Sequence, residues 1–187
     1  MANTTRRDSL SKSELAALNY FSSHGIQLAR IPQTTEDTPD FAGDSVLVEV
    51  KEVILHEIGL IDADAVEQGI FPDAQNDSTY NAIKTRLKKA ARQFRAFDPK
   101  HEMIHTVVVF SKRIIANDIY SVWTGKMAPQ KPIPFISGGM TLSKEHQQHI
   151  DGVVWFHSIE DQKPRHIWAV DEQHQAFFQS LIPTKAE

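Results

Sequence analysis

Three charged side chains stand where charge is expensive. Val46 to Lys51 reads Val-Leu-Val-Glu-Val-Lys, a strand whose side chains alternate between two faces. Val46, Val48 and Val50 fall on one face, and Leu47, Glu49 and Lys51 on the other. So valine-rich a strand is expected to be buried, and a carboxylate and an ammonium two residues apart on it are costly to desolvate. Asp40 lies across a predicted hairpin from them, after Pro39 and before the turn residues Gly43-Asp44-Ser45. Two acids and a lysine therefore converge. A turn aspartate accounts for Asp40 alone, but not for the two strand charges as well.

The histidines are the other chemistry-bearing group. His101-Glu-Met-Ile-His105 spells the zinc-protease motif, which works only on a helix, where both histidines share a face and the glutamate reaches the metal-bound water. Pro99 precedes the segment and Thr106-Val-Val-Val-Phe110 follows it, so it reads as a loop running into a strand. On an extended strand this spacing separates the two histidines by about 13 Å, and a shared catalytic zinc is not expected. His146 and His149, three apart on a short predicted helix, have a spacing that permits a shared metal, although solvent-exposed histidines are the commoner case. The chain has no cysteine, which excludes disulfides, thiolate metal sites and thiol nucleophiles.

The elements that must position these groups can be read from the pattern. Ser11-Lys-Ser-Glu14 is a capping box opening an amphipathic helix through Leu15, Leu18 and Phe21 to His24-Gly25. Glu14 has two readings: the cap itself, or an acid on the core-facing stripe with Leu18 and Phe21. Ile26 to Ile31 alternates as a first strand stopped by Pro32. A long helix opens at Ser78 or Asn81, carries an apolar stripe of Ile83, Leu87, Ala90, Phe94 and Phe97, and ends at Pro99. Its remaining surface carries Lys84, Arg86, Lys88, Lys89, Arg92 and Arg95 with no acid among them, a single-sign row suited to binding phosphates.

Between these elements, Glu57, Asp62, Asp64, Glu67, Asp73 and Asp77 give the segment at 54–77 six negative charges, leaving the rest of the chain at +2 within a net charge of −4. It reads as an acidic insertion with a short helix at 62–68, placed to cover the charged strand or to form an interface with a second copy or a partner protein. Farther along, 114–123 reads as a helix, 127–139 as irregular and 142–150 as a short helix capped by Ser143. Strands follow at 152–157 and 165–170, then a last helix capped by Asp171 and ended by Pro183.

The arrangement Pro39-Asp40 followed by Glu49-Val50-Lys51 at the end of a short hairpin resembles the signature of the PD-(D/E)XK nuclease superfamily, the restriction-endonuclease-like fold. The resemblance covers roughly residues 11–110 and stops short of the C-terminal third. It implies an α/β fold with a mixed central sheet flanked by helices, a core in the order α-β-β-β-α-β, and a C-terminal α/β extension over 111–187. It also implies a metal-dependent endonuclease, with DNA the expected substrate. Asp40, Glu49 and the Val50 carbonyl would hold Mg²⁺ or Mn²⁺ through hard oxygen donors, and Lys51 would orient the attacking water. Glu14 would add a further acid at the site. Gln93, with Arg86 one helical repeat away, would be the polar residue that the long helix presents. The alternative is a non-catalytic module of the same fold used for nucleic-acid binding or protein assembly.

The whole chain bounds these expectations. Its 187 residues suit one domain with one sizeable core, and 41% hydrophobic and 24% charged residues are ordinary globular values. Arg6-Arg7 precedes polar residues, so no signal peptide or membrane span is readable and a cytoplasmic location is the expectation. A net charge of −4 requires nucleic-acid binding to rely on a local patch, which the basic helix supplies.

Overall fold

The computed structural model describes residues 9–32, 38–53, 78–112, 116–128, 131–134 and 140–182. The first helix, α1 (Lys12–Ser23), begins where Ser11 accepts from the Glu14 amide while the Glu14 side chain accepts from the Ser11 amide, the reciprocal pair that satisfies two orphan donors of a first turn. β1 (Ala29–Arg30), β2 (Phe41–Ala42) and β3 (Val46–Glu52) form an antiparallel meander, with the β2–β3 turn closed by the Gly43 amide on the Val46 carbonyl at 2.8 Å. The long basic helix is α2 (Ser78–Phe97), and it returns the chain to β4 (Ile104–Phe110), which lies parallel to β3. The described order from α1 to β4 is thus helix, three strands, helix, strand.

The chain continues through α3 (Ala116–Thr124), the hairpin β5 (Lys126–Ala128) and β6 (Lys131–Pro134), the single turn α4 (Lys144–Gln147), β7 (Gly152–Phe156), β8 (His166–Ala169) and α5 (Glu172–Ser180). The main sheet has six strands in the order β1-β2-β3-β4-β7-β8, parallel at its centre and antiparallel at both edges. The protein is therefore α/β with a mixed open sheet, and five helices stand among the described residues.

Parity along the strands sorts the core into two layers. Val46, Val48, Val50, Val108 and Val154 pack beneath α1 and α5, through Ala17, Phe21, Phe178 and Leu181. Leu47, Val107, Val109 and Val153 pack beneath α2 and α3, through Ile83, Leu87, Phe94, Ile119 and Trp123. Central strands buried on both faces read as continuous apolar runs, which explains Thr106-Val-Val-Val-Phe110. Tyr20 donates its hydroxyl to the Leu181 carbonyl and ties α1 to the end of α5. No helix among the described residues is long and apolar enough to cross a membrane.

Several expected elements differ. The first strand covers only Ala29–Arg30 rather than Ile26–Ile31, because the Ile26 amide is spent on the Phe21 carbonyl at the end of α1. Phe97, the last residue of the apolar stripe on α2, is exposed rather than buried, since the helix ends there beyond the layer that covers Phe94. The stretch read as irregular contains the β5–β6 pair, a two-stranded antiparallel sheet with Lys126 opposite Pro134 and Ala128 opposite Lys131. α4 is a single turn. Ser143 precedes it without capping it, its hydroxyl sharing a hydrogen bond with His146 Nδ1 at 2.6 Å. The acidic segment at 54–77, with its expected helix at 62–68, lies outside the described residues.

Candidate functional site

The strand alternation places Glu49 and Lys51 on the α2 face of β3, opposite the layer filled by Val46, Val48 and Val50. Both are nearly sealed from solvent, Glu49 at 1% and Lys51 at 8% exposure. Asp40 reaches them from the residue before β2, where its carbonyl accepts from the Ile31 amide at 3.0 Å. The Asp40 amide donates to Glu49 Oε2 at 3.0 Å, and the Val50 amide donates to Asp40 Oδ2 at 2.8 Å. The two acids are thus held against one another by each other's backbone.

Lys51 completes the cluster. Its ammonium donates directly to Glu49 Oε1 and, at 3.2 Å, to Gln93 Oε1. Gln93, buried on the sheet-facing side of α2, donates its amide to the Thr38 carbonyl at 2.7 Å. One carboxamide therefore links the long helix, the charged strand and the segment leading into Asp40. Val50 contributes its amide, while its side chain lies in the opposite layer.

The charge balance of this cluster is unfavourable as it stands. Burial pushes the Glu49 carboxyl up to about 7; the Lys51 ammonium offsets part of that, and the Asp40 charge adds to it. Burial also raises Asp40, opposed by the Val50 amide and Lys51 and reinforced by Glu14. Glu14 closes the capping box, and its charge is one of those that raise Asp40. Arg86, by contrast, is exposed on α2 and is not among the groups that meet at Glu49.

Along α2, Arg86, Lys88, Lys89, Arg92 and Arg95 are exposed and Lys84 is half-buried. The row is less purely cationic than its own sequence. Arg95 pairs with Glu145 of α4, an acid that the sequence of the helix does not contain. His146 lies close enough to Lys88, Arg95 and Arg92 that, after burial, their charges push its pKa down.

The histidines depart most from expectation. His101 and His105 do lie in a loop and a strand, not on a helix, yet their rings stack at 4.1 Å with 3° between planes. The 13 Å separation fails because it assumes extended backbone. His101 has φ 56°, a left-handed conformation that turns its side chain back over the start of β4. His105, fully buried, is also stacked on Phe94 at 4.7 Å, and His149 brings its ring to 6.1 Å from His101.

Two aspartates hold this second cluster. Asp151 Oδ2 pairs with His101 Nε2 at 2.7 Å and accepts from the His105 amide at 2.8 Å. Asp98 Oδ2 pairs with His105 Nε2 at 3.1 Å, and the same carboxylate accepts from the amides of Glu102 and Met103. Burial pushes His105 below its ordinary pKa, with His101 adding to the effect and Asp98 opposing it. Sequence reasoning missed Asp98, Asp151 and the link to His149. Histidines close to Asp98 and Asp151 in the chain were the one signal, but nothing local reveals that two segments about fifty residues apart meet. No family model, curated protein or solved structure matches the chain.

Proposed function

We propose that the protein is a metal-dependent nuclease of the PD-(D/E)XK type, cutting phosphodiester bonds in DNA at the cluster of Asp40, Glu49, Lys51 and Gln93. The observation that carries this reading is the mutual embrace of two largely buried acids beside one buried lysine, with Glu49 raised to about 7. Packing alone gives no reason to bury such a set, because a buried ion pair seldom offsets its own desolvation. A charge-handling site does. The described helix-strand order from α1 to β4 supports the same reading.

The donor set fits a hard divalent cation. Asp40, Glu49 and the Val50 main-chain carbonyl are all oxygen donors, the ligand class that Mg²⁺ or Mn²⁺ takes, and the excess of acid over base here is what a cation would neutralise. When bound, such an ion polarises the scissile phosphate and lowers the pKa of its water. Lys51, anchored between Glu49 and Gln93, is positioned to orient the attacking water and to offset negative charge developing on phosphorus. The water oxygen would bond to phosphorus as the bond to the leaving sugar oxygen breaks, the water giving up a proton to solvent and the leaving oxygen taking one from it, so that one strand ends in a phosphate and the other in a hydroxyl. The cations of α2 hold the phosphate backbone without reading bases. The test is incubation with plasmid, linear, branched and single-stranded substrates in Mg²⁺, Mn²⁺ or EDTA. Cleavage by wild type in Mg²⁺, abolished by EDTA and by Glu49→Gln, is the expected result. Equal activity in Glu49→Gln would remove the basis of the reading.

A further inference from the structure

We infer that His101, His105 and His149 form a binding site for one zinc-class divalent ion, separate from the carboxylate cluster, with Asp98 and Asp151 as its outer hydrogen-bonding partners. Each histidine offers a ring nitrogen, and the three nitrogens lie within 4.8 Å of one another. Nitrogens bonded to one tetrahedral zinc at its usual bond length stand about 3.3 Å apart. Closing the set to that spacing requires His101 and His149, which are only half-buried, to turn toward His105, His101 leaving its stack on that ring, while Phe94 and Asp98 hold His105 in place.

The outer partners are the second observation. A metal-binding imidazole characteristically gives its other nitrogen to a carboxylate, which fixes the tautomer and aims the lone pair. Both His101 and His105 have Nε2 on an aspartate, which leaves Nδ1 of each as the donor atom. His105 Nδ1 and His149 Nδ1 are buried and without a hydrogen-bond partner. Buried polar atoms nearly always find partners, so two orphaned imidazole nitrogens in one cluster require an explanation, and an ion supplies it for both.

The backbone of His101 points the same way. A left-handed histidine is strained, and such strain persists where the surroundings over-determine it. Here it brings the ring of His101 to Asp151 and His105 together. An all-imidazole donor set selects zinc and its neighbours over magnesium. No fourth His, Cys, Asp or Glu side chain joins the three among the described residues, which leaves a position for water on the side of the half-buried His101. Glu102, the glutamate of the sequence motif, has a side chain 70% exposed near Lys100, too far into solvent to serve as the base of a zinc protease. The ion's role is therefore to brace: it joins the turn entering β4 to the turn entering β7, beneath the end of the helix that carries Gln93.

The experiment uses the full chain, stripped with EDTA and dialysed, then titrated with Zn²⁺ against a chromophoric chelator and separately with Co²⁺ followed by visible absorption. The expected result is one equivalent of Zn²⁺ and cobalt bands of a four-coordinate nitrogen-rich site, with a raised Tm. Asp40→Asn/Glu49→Gln keeps that equivalent, which separates this site from the proposed nuclease centre. His149→Ala and His101→Gly should each lose about 100-fold or more in zinc affinity, and Asp151→Asn about 10- to 100-fold. Because His105→Ala opens a buried position and risks unfolding the chain, His101→Gly is the decisive variant, for glycine suits the left-handed turn. Failure of wild type to retain stoichiometric zinc, or wild-type affinity in both His149→Ala and His101→Gly, would overturn the proposal.

Discussion

Asp40 and Glu49 are locked together through each other's backbone: the Asp40 amide binds the Glu49 carboxylate, and the amide of Val50, the residue after Glu49, binds the Asp40 carboxylate. The arrangement aligns two acids beside a single ammonium, that of Lys51. Asp40→Asn and Glu49→Gln preserve shape and remove charge. Each is expected to lower Mg²⁺-dependent DNA cleavage by about 10²-fold or more, while far-UV circular dichroism stays unchanged. Plasmid nicking under single-turnover conditions measures it.

The raised Glu49 carboxyl makes stability depend on pH with a definite sign. Its folded pKa of about 7 lies above the ordinary value of 4.5, so between those values the folded state binds more protons than the unfolded state. Stability of the metal-free protein should therefore fall as pH rises through that window, by on the order of 3 kcal/mol from this group. His105, lowered by burial, works in the opposite direction, so the difference between wild type and Glu49→Gln isolates the effect. Urea denaturation in EDTA at pH 5 and pH 8 should show wild type losing ground to the variant. Parallel pH profiles would refute a raised Glu49.

Gln93 spans Lys51 and the Thr38 carbonyl, so its loss strips partners from two buried groups at once. Gln93→Leu should destabilise the fold by about 1–3 kcal/mol, the cost of leaving a buried polar group short of a hydrogen bond, with Lys51 keeping its bond to Glu49. It should also slow cleavage at saturating substrate more than it weakens DNA binding, because Gln93 positions Lys51 rather than touching the backbone. Fluorescence anisotropy alongside single-turnover rates separates the two effects.

How much of this was legible depends on whether the signal was local. The face assignment of Glu49 and Lys51 follows from strand alternation alone, and the capping box of Ser11 and Glu14 from four residues. Gln93 was suggested by resemblance, and its bond to Lys51 gives that suggestion a physical content. The histidine cluster was illegible for a different reason. A period rule cannot anticipate a left-handed residue at His101, nor the meeting of Asp98 with one end of the site and Asp151 with the other. Likewise the pairing of Arg95 with Glu145 is tertiary, and a helix read in isolation overstates its free charge.

That pairing refines the expectation for nucleic-acid binding. Lys88 and Lys89 are exposed on α2, whereas Arg95 already has an acidic partner. Replacing both lysines with alanine should weaken DNA binding and reduce the slope of log K against log salt by about 0.9 for each phosphate left without its cation. Arg95→Ala should change the slope less. Equal slopes for wild type and the double variant would show that these lysines form a solvated face and nothing more.

Among the described glycines, Gly152 leaves the least room for a Cβ, against the ring of Phe178, and it adjoins Asp151 of the histidine cluster. Gly152 opens β7 directly after Asp151, pairs with Thr106 and Ala169, and is covered by the Phe178 ring so closely that an added Cβ would lie 2.0 Å from Cζ. No side chain fits there unless the ring moves. Phe178 is itself 2% exposed in the layer with Val154 and Leu181, so moving it disturbs the packing of α5 on the sheet. Gly152→Ala should therefore cost about 2–3 kcal/mol as an overpacking substitution. Phe178→Leu alone should cost about 1–2 kcal/mol from lost burial. The double variant should be more stable than the sum of the two predicts, because the smaller side chain makes room for the methyl group, and touching residues couple in this way. Additive losses within about 0.3 kcal/mol in urea titrations would mean that the strand rather than the ring gives way. In that case Asp151, one residue away, would shift as well, and the zinc affinity of Gly152→Ala would fall together with its stability.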